Sequence, residues 1–528
     1  MIVLRNWMRH KWVRFFLPIL SAFLLALSLC YPSVGFIEWV ALVPFALFLF
    51  EAVEGEKVSF RRAYVWGLGF FWVYYALVYH WFFYMYPLDF LGLSAGVSVI
   101  VVMLACFGVS LLQAVPSAFL VPLFLVASRG RSVSRFRLLP PFLAAALWCV
   151  MEWSLTLTWA GVPWSRLALG QTSMLAVIQS ASLFGPYFIT FLIVAVNFLV
   201  GYGLFFNKRL APALGALLLA VNVAVGGVLL AIDGESTQPL RVAAVQGNIS
   251  SAQKWGEDGL IISLTRYTEL TQLAAFRGAD LVVWPESVIP YDLNEDDVML
   301  SYLGKLASSE GIHLVIGSFE KQGDINHNAL FAFDPQGQLN PTAYAKRRLV
   351  PFGEFIPMEK FIKTVVPLLA DLNARSADLD PGEGSNIIHT ELGNIGGIIC
   401  FDSIYEELSR ASVLDGAQLL VISTNDSWFS DSAALSMHNR QSVLRAVENG
   451  RYVIRAANTG ISSIISPTGE ILDSLGALED GIVVKDVYLR DSLTLYTRMG
   501  NVIIWLSVAL YLAVISFDIT RKILSRRR

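Results

Sequence analysis

Charge is scarce in this chain. Lys, Arg, Asp and Glu together make up 15% of the 528 residues while apolar residues reach 55%, against about 25% charged residues in a soluble domain. That shortage excludes a wholly soluble protein and points to a membrane protein. The formal net charge is −3, and the basic residues gather at the ends of apolar segments instead of forming a phosphate-tracking stripe, so a nucleic-acid partner is not expected. Cysteine is nearly absent too. Cys30, Cys106 and Cys149 lie in apolar segments and Cys400 stands alone in the polar part, which excludes an intrachain disulfide there in any redox compartment. The six histidines, His10, His80, His313, His327, His389 and His438, show no HxxxH or comparable ligand spacing. No metal and no other cofactor is therefore expected. Internal repeats, low-complexity tracts and Gly/Ser linkers are also missing, so domain boundaries must be read from apolarity.

Apolar stretches long enough to cross about 30 Å of hydrocarbon lie near residues 15–30, 35–52, 64–82, 91–126, 139–158, 182–205, 210–231 and 499–518. The basic start MIVLRNWMRHKWVR before FFLPILSAFLLALSLC has the charge distribution of a signal peptide. More apolar segments follow at once and the surroundings of Cys30 to Ser33 make a weak cleavage site, so the segment reads as a retained span. The stretch 91–126 is too long for one ordinary helix; it is either tilted or a span plus a re-entrant piece.

Counted once, it gives eight spans. Arg5, Arg9, Lys11 and Arg14, then Lys57, Arg61 and Arg62, then Arg129, Arg131, Arg135 and Arg137, then Lys208 and Arg209, and finally RRKILSRRR all fall on one side. Loops 31–34 and 83–90 on the other side hold no Lys or Arg. The positive-inside rule then predicts cytoplasmic N- and C-termini. The expected organisation is transmembrane helices one to seven in 1–232, an extramembranous domain on the far face in 233–497, and the eighth helix with a basic tail in 498–528.

Residues 233–497 alternate short β-rich runs such as RVAAVQGN, ADLVVWPES, IHLVIGSFE, NIGGIIC and AQLLVISTND with helix-like stretches at 258–275 and 436–450. The strands near 242–246, 280–284, 312–316, 395–400 and 418–423 are apolar throughout, as in covered sheets. This predicts an α/β domain with more than one sheet layer.

Three stretches place polar residues directly after apolar strands: LVVWPESVIP with Glu286, AYAKRRLVPFGEFIP with Lys346 and Glu354, and GGIICFDSIYEE with Cys400, Phe401 and Asp402. Strand ends in α/β folds converge on a cleft. A thiol needs a base and a positive field to attack well. A carboxylate can take and return its proton, and a lysine can stabilise the oxyanion of a tetrahedral intermediate. Together the three describe acyl transfer through a thioester. Singly, each has a plainer reading: Cys400 a buried strand-end residue, Glu286 a cap or ion-pair partner, Lys346 part of a solvated KRR run, Glu354 a local pair.

VQGNI, WPES, Lys346 with LVPFGE, and the strand-Cys-aromatic-acid sequence resemble the nitrilase superfamily, whose members use a Glu-Lys-Cys triad. Joined to eight spans, the whole resembles the bacterial apolipoprotein N-acyltransferase family. The resemblance implies a multi-span helical membrane domain with a nitrilase-like four-layer αββα sandwich inserted between the seventh and eighth helices. It makes Glu286 the base, Lys346 the oxyanion lysine and Cys400 the nucleophile, with Glu354 an added essential carboxylate. It places Trp255 on a mobile arm and Asn425, Asp426, Trp428 and Phe429 along the acyl site, and it matches Glu152, Trp153, Pro163 and Trp164 to a motif of the membrane half. Family members commonly read Cys-Tyr-Glu at the nucleophile, where this chain reads Cys-Phe-Asp.

The implied partners are a phospholipid acyl donor, phosphatidylethanolamine, a diacylated apolipoprotein acceptor and the bilayer. The implied location is the bacterial inner membrane with the catalytic domain periplasmic, and a monomer suffices. Rival readings are a membrane-tethered nitrilase-like amidase or hydrolase with the same triad, a membrane scaffold, and a transporter, for which Glu152 is the one intramembrane acidic candidate considered. The aromatic run 74–87 reads as an interfacial belt or a lipid contact.

Overall fold

The computed structural model describes residues 10–55, 57–88, 92–232, 234, 238–365 and 379–526. Arg5, Arg9 and the last two arginines of the tail, which entered the charge-side reading, lie outside the described residues. The chain divides into two compact units, one comprising Met1–Phe82, Met103–Ile232 and Met499–Arg528, the other Phe83–Val102 and Asp233–Arg498.

The first unit is helical. Among the described residues, six segments are long and apolar enough to cross a membrane: Trp12–Cys30, Pro32–Glu54, Ala95–Ser128, Pro186–Phe206, Leu210–Ile232 and Val502–Ser525. The other two expected spans form helices Phe60–Val78 and Leu139–Ser154. Arg61 and Arg62 cut into the apolar run of the first, and the second stops after 16 residues. The long stretch at 91–126 resolves into two helices, Ala95–Ser117 and Leu120–Ser128. The break follows Pro116, which lacks the N–H that a continuous helix needs. Pro186–Phe206 is buried on nearly every side, as a helix apolar all round should be.

Several polar residues inside this unit are paired. Glu152 Oε1 accepts from Trp148 Nε1 at 3.2 Å and from the Leu167 N–H at 3.0 Å, and Oε2 accepts from Thr190 Oγ1 at 2.8 Å. The carboxylate thus ties the irregular segment around Leu167 to two helices. A second intramembrane carboxylate besides Glu152, Glu38 near the start of the apolar stretch 35–52, is also buried, and Gln171 Nε2 donates to it. Asn197 Nδ2 donates to the Glu38 carbonyl at 2.9 Å. The aromatic run is not a uniform belt. Tyr74, Tyr75, Tyr79 and Trp81 are buried, and the Tyr74 and Tyr79 hydroxyls donate to the Ser165 and Val162 carbonyls at 2.9 and 2.7 Å.

The second unit is a layered α/β domain. Its strands are β1 (Pro239–Gln246), β2 (Leu281–Val283), β3 (His313–Gln322), β4 (Ile325–Phe333), β5 (Tyr344–Ala345), β6 (Ile388–Thr390), β7 (Gly393–Ile399), β8 (Leu419–Thr424), β9 (Val453–Ala457), β10 (Ser462–Ile465), β11 (Ile471–Leu475) and β12 (Gly481–Tyr488). They form two six-stranded sheets, ordered β12-β1-β2-β3-β4-β5 and β11-β10-β9-β8-β7-β6. Each has a parallel centre, β1-β2-β3 and β7-β8-β9, flanked by antiparallel pairs.

Strand alternation builds the layers. Val242 and Ala244 of β1 pack with Ile395, Leu419, Val421 and Ile454 of the other sheet. Ala243 and Val245 pack against Tyr267 and Leu270 of helix Gly259–Phe276 and Leu303 of helix Asp297–Glu310. Helices Glu406–Leu414 and Ala433–Asn449 belong to the other sheet. The result is the αββα sandwich expected. Segment 83–102 joins this unit, where the Tyr84 carbonyl accepts from Ser430 Oγ at 3.0 Å.

Candidate active site

Glu286 lies just past β2. Its backbone crosses β3 at Gly317, where a Cβ would stand 2.4 Å from the Pro285 carbonyl oxygen and 2.6 Å from Glu286 Cα, so glycine is required for that approach. Lys346 follows β5 and is 1% exposed. Its ammonium sits between two carboxylates, 2.9 Å from Glu286 Oε1 and 2.9 Å from Glu354 Oε1. Asn328 of β4 donates to the same two oxygens at 2.7 and 2.9 Å. The remaining oxygens accept backbone N–H groups, Glu286 Oε2 from Asn425 at 3.0 Å and Glu354 Oε2 from Val350 at 2.8 Å.

Cys400 directly follows β7, opening a short helical turn, with φ +46°, a conformation that a non-glycine residue adopts only when its surroundings hold it there. Burial opposes charge on Glu286, but Lys346, Asn328 and Lys254 outweigh it and keep the carboxyl below its ordinary range. Burial likewise opposes charge on Lys346, and Glu286 and Glu354 drive its pKa well above the lysine value. At Cys400, burial and then Glu286 raise the thiol well above its ordinary value, with Lys346 acting the other way. The resting pair is therefore a neutral thiol beside an ionised carboxylate. Such a thiol attacks only as its proton leaves for a base.

Asp402 is engaged in holding the backbone. It accepts from the Arg348 and Arg347 N–H groups at 2.7 and 3.2 Å, from Tyr344 Oη at 2.8 Å and from the Ile399 N–H at 3.3 Å. The short carboxylate thus ties the strand of the cysteine to the loop of the lysine. Burial pushes its carboxyl up to about 6 against the pull of Lys346 and these donors. The Phe401 ring packs edge-on against Tyr405, centroids 5.5 Å apart. Asp426 is held by Arg455 and His438, each at 2.7 Å. Trp428 and Phe429 are half-buried in the turn after it, and the Trp255 side chain is 37% exposed.

Three neighbours were not anticipated. Asn328 bridges the carboxylates; its signal was an amide inside the apolar strand NHNALFAF. Lys254 is buried, donates to Ser287 Oγ at 2.7 Å and to the Glu286 carbonyl at 3.1 Å, and burial lowers its pKa to about 8. His438 reaches the Cys400 carbonyl, and a helical histidine among polar residues carried no distinguishing sign. Cys400, Asp426 and His438 do bring ligand-type atoms within 4.8 Å of one another. The Arg455 guanidinium already on Asp426 makes this a poor cation site, because a bound cation would face a fixed positive charge.

The apolipoprotein N-acyltransferase N-terminal domain family matches residues 21–199, and the carbon-nitrogen hydrolase family matches 241–492. An apolipoprotein N-acyltransferase of Geobacter metallireducens is 33% identical over 524 residues, covering 96% of each chain. The chain belongs to the apolipoprotein N-acyltransferase family. One from Gloeobacter violaceus is 32% identical over 92% of this chain and 91% of its own. Among solved structures, a C145A mutant of the nitrilase-superfamily amidase of Nesterenkonia AN1 is similar at 20% identity and TM-score 0.39, covering 51% of this chain and 98% of that one. The match over 241–492 makes the second unit a catalytic domain of the carbon-nitrogen hydrolase type, and the apolar helices of the first unit give the protein lipid surroundings.

Proposed function

We propose that the protein transfers a fatty acyl group from the sn-1 position of a phospholipid, phosphatidylethanolamine being the donor considered, to the α-amine of the N-terminal S-diacylglyceryl-cysteine of an apolipoprotein. The observation that carries the reading is the buried Glu286-Lys346-Glu354 cluster whose charges act on the Cys400 thiol. Glu286 takes the thiol proton as sulfur attacks the sn-1 carbonyl carbon, and Lys346 stabilises the oxyanion. The ester C–O bond breaks, the same proton passes to the departing glycerol oxygen, and the acyl group remains on sulfur. The acceptor amine then attacks the thioester, gives its proton to Glu286, and the C–S bond breaks with return of that proton to sulfur.

The membrane unit fits this chemistry, because lifting a chain of about 16 carbons into water costs on the order of 12 kcal/mol. We further propose the eight-span topology, with both termini cytoplasmic, the unit 233–497 periplasmic in the inner membrane and 498–528 forming the last helix and tail. Incubation of the full-length protein with phospholipid should add one acyl mass to the wild type and none to Cys400→Ala, and a diacylated peptide should then take up that mass. Wild-type transfer by Cys400→Ala would remove the mechanism. Free fatty acid in place of acylated peptide would make the protein a hydrolase.

A further inference from the structure

A second buried polar pair meets the peptide of the cysteine. His438, on helix Ala433–Asn449, has Nδ1 2.7 Å from Asp426 Oδ1. Its Nε2 lies 3.2 Å from the Cys400 carbonyl oxygen and 3.0 Å from Ser403 Oγ. His438, Asp426 and Ser403 are at most 1% exposed. Asp426 is anchored in turn by Arg455 at Oδ2, 2.7 Å, and by Thr424 Oγ1 at Oδ1, 2.9 Å.

Donor accounting orients the ring. The single Ser403 hydroxyl proton goes to the Cys400 carbonyl at 2.7 Å, so the oxygens around Nε2 can accept from it. Nε2 faces the Cys400 carbonyl at hydrogen-bond distance while Nδ1 faces the Asp426 carboxylate. Ser403 and His438 thus both hold the carbonyl of a residue at φ +46°. Ligand-type atoms of His438 and Asp426 also lie within 4.8 Å of Sγ.

We propose that His438, backed by Asp426, is a positioning residue for the nucleophile: by holding the Cys400 carbonyl it maintains the left-handed turn that presents the thiol. The proposal rests on Cys400 being the nucleophile of the function proposed above. Neither Glu286 nor Lys346 shares these contacts, so His438 sets where the sulfur is, while they act on its proton and on the oxyanion.

The test uses the full-length protein in detergent with His438→Leu and His438→Gln. It reads the acylation rate from phospholipid, the rate of Cys400 alkylation by iodoacetamide mapped to its peptide, and the thermal midpoint. His438→Leu should acylate at least about 30-fold more slowly, in the range expected when a reacting group is misplaced by about 1 Å, with KM within about twofold. His438→Gln, whose amide can still donate to the carbonyl, should lose only about three- to tenfold, and alkylation should fall in the same order. The proposal is overturned if Leu stays within about threefold of wild type, or if Leu and Gln are equally impaired, which marks plain packing. If the Leu variant does not fold, a Gln variant matching wild type in both rates overturns it. Wild-type protein that takes no acyl group from phospholipid would sink the proposed function, while the alkylation ratios would still decide the role of His438.

Discussion

Glu354→Gln tests the electrostatics of the site most directly. Glu286 Oε1 and Glu354 Oε1 both lie 2.9 Å from Lys346 Nζ, so they are no more than about 5.8 Å apart. At an effective dielectric of about 20, two unit charges at that distance repel by about 3 kcal/mol. Glu354 therefore keeps Glu286 basic while the lysine pulls the other way. Glutamine removes the repulsion, and its single oxygen can serve either Lys346 or the Val350 N–H, not both. A weaker base removes the thiol proton more slowly. A loosened Lys346 adds to that, so acyl-enzyme should form about 10- to 100-fold more slowly, with the fold retained. Single-turnover acylation of Cys400, followed by intact mass, measures it. A Glu354→Gln variant that acylates within about twofold of wild type would refute the reasoning.

Gly317→Ala should cut acylation at least about 100-fold, because its Cβ would collide with Pro285 and Glu286 backbone atoms and push the carboxylate out of place; unchanged acylation would contradict that. Lys254, lowered to about 8 when folded against about 10.4 unfolded, binds fewer protons in the native state across that window, so stability should rise with pH from about 8 to 10.4 by up to about 3 kcal/mol. Lys254→Met should flatten the rise in thermal midpoint, and equal pH slopes would count against it. Glu152→Ala leaves Thr190, Trp148 and the Leu167 N–H without their acceptor, each worth about 1–3 kcal/mol. Its melting point in detergent should fall by several degrees and Glu152→Gln should recover most of the loss; an unaltered Glu152→Ala melt would show that this carboxylate ties nothing down.

The sandwich was legible because covered parallel strands leave continuous apolar runs; β1, β2, β3, β7 and β8 each fall on a stretch read as strand. That Glu286, Lys346 and Glu354 meet was legible for a related reason, since each follows an apolar strand or its loop. Asn328 and His438 were not, because nothing local distinguishes an amide that bridges two carboxylates, or an imidazole against a carbonyl, from any other polar side chain. The role of Asp402 as a backbone tie was hidden for the same reason: its donors, the Arg347 and Arg348 N–H groups, lie more than 50 residues away in the chain. In the helical unit, hydropathy alone overstated continuity, since Pro116 and the pair Arg61 and Arg62 act on hydrogen bonding and solvation that a running average smooths away.

The flanking of Glu286 by Lys346 and Lys254 couples two separate segments of the chain. Lys254 immediately precedes Trp255 and grips the Glu286 main chain and Ser287. Any displacement of the tryptophan segment by an incoming chain is thus mechanically linked to the residue proposed as base. A shift at Trp255 and the placement of the Glu286 main chain would then share one tether.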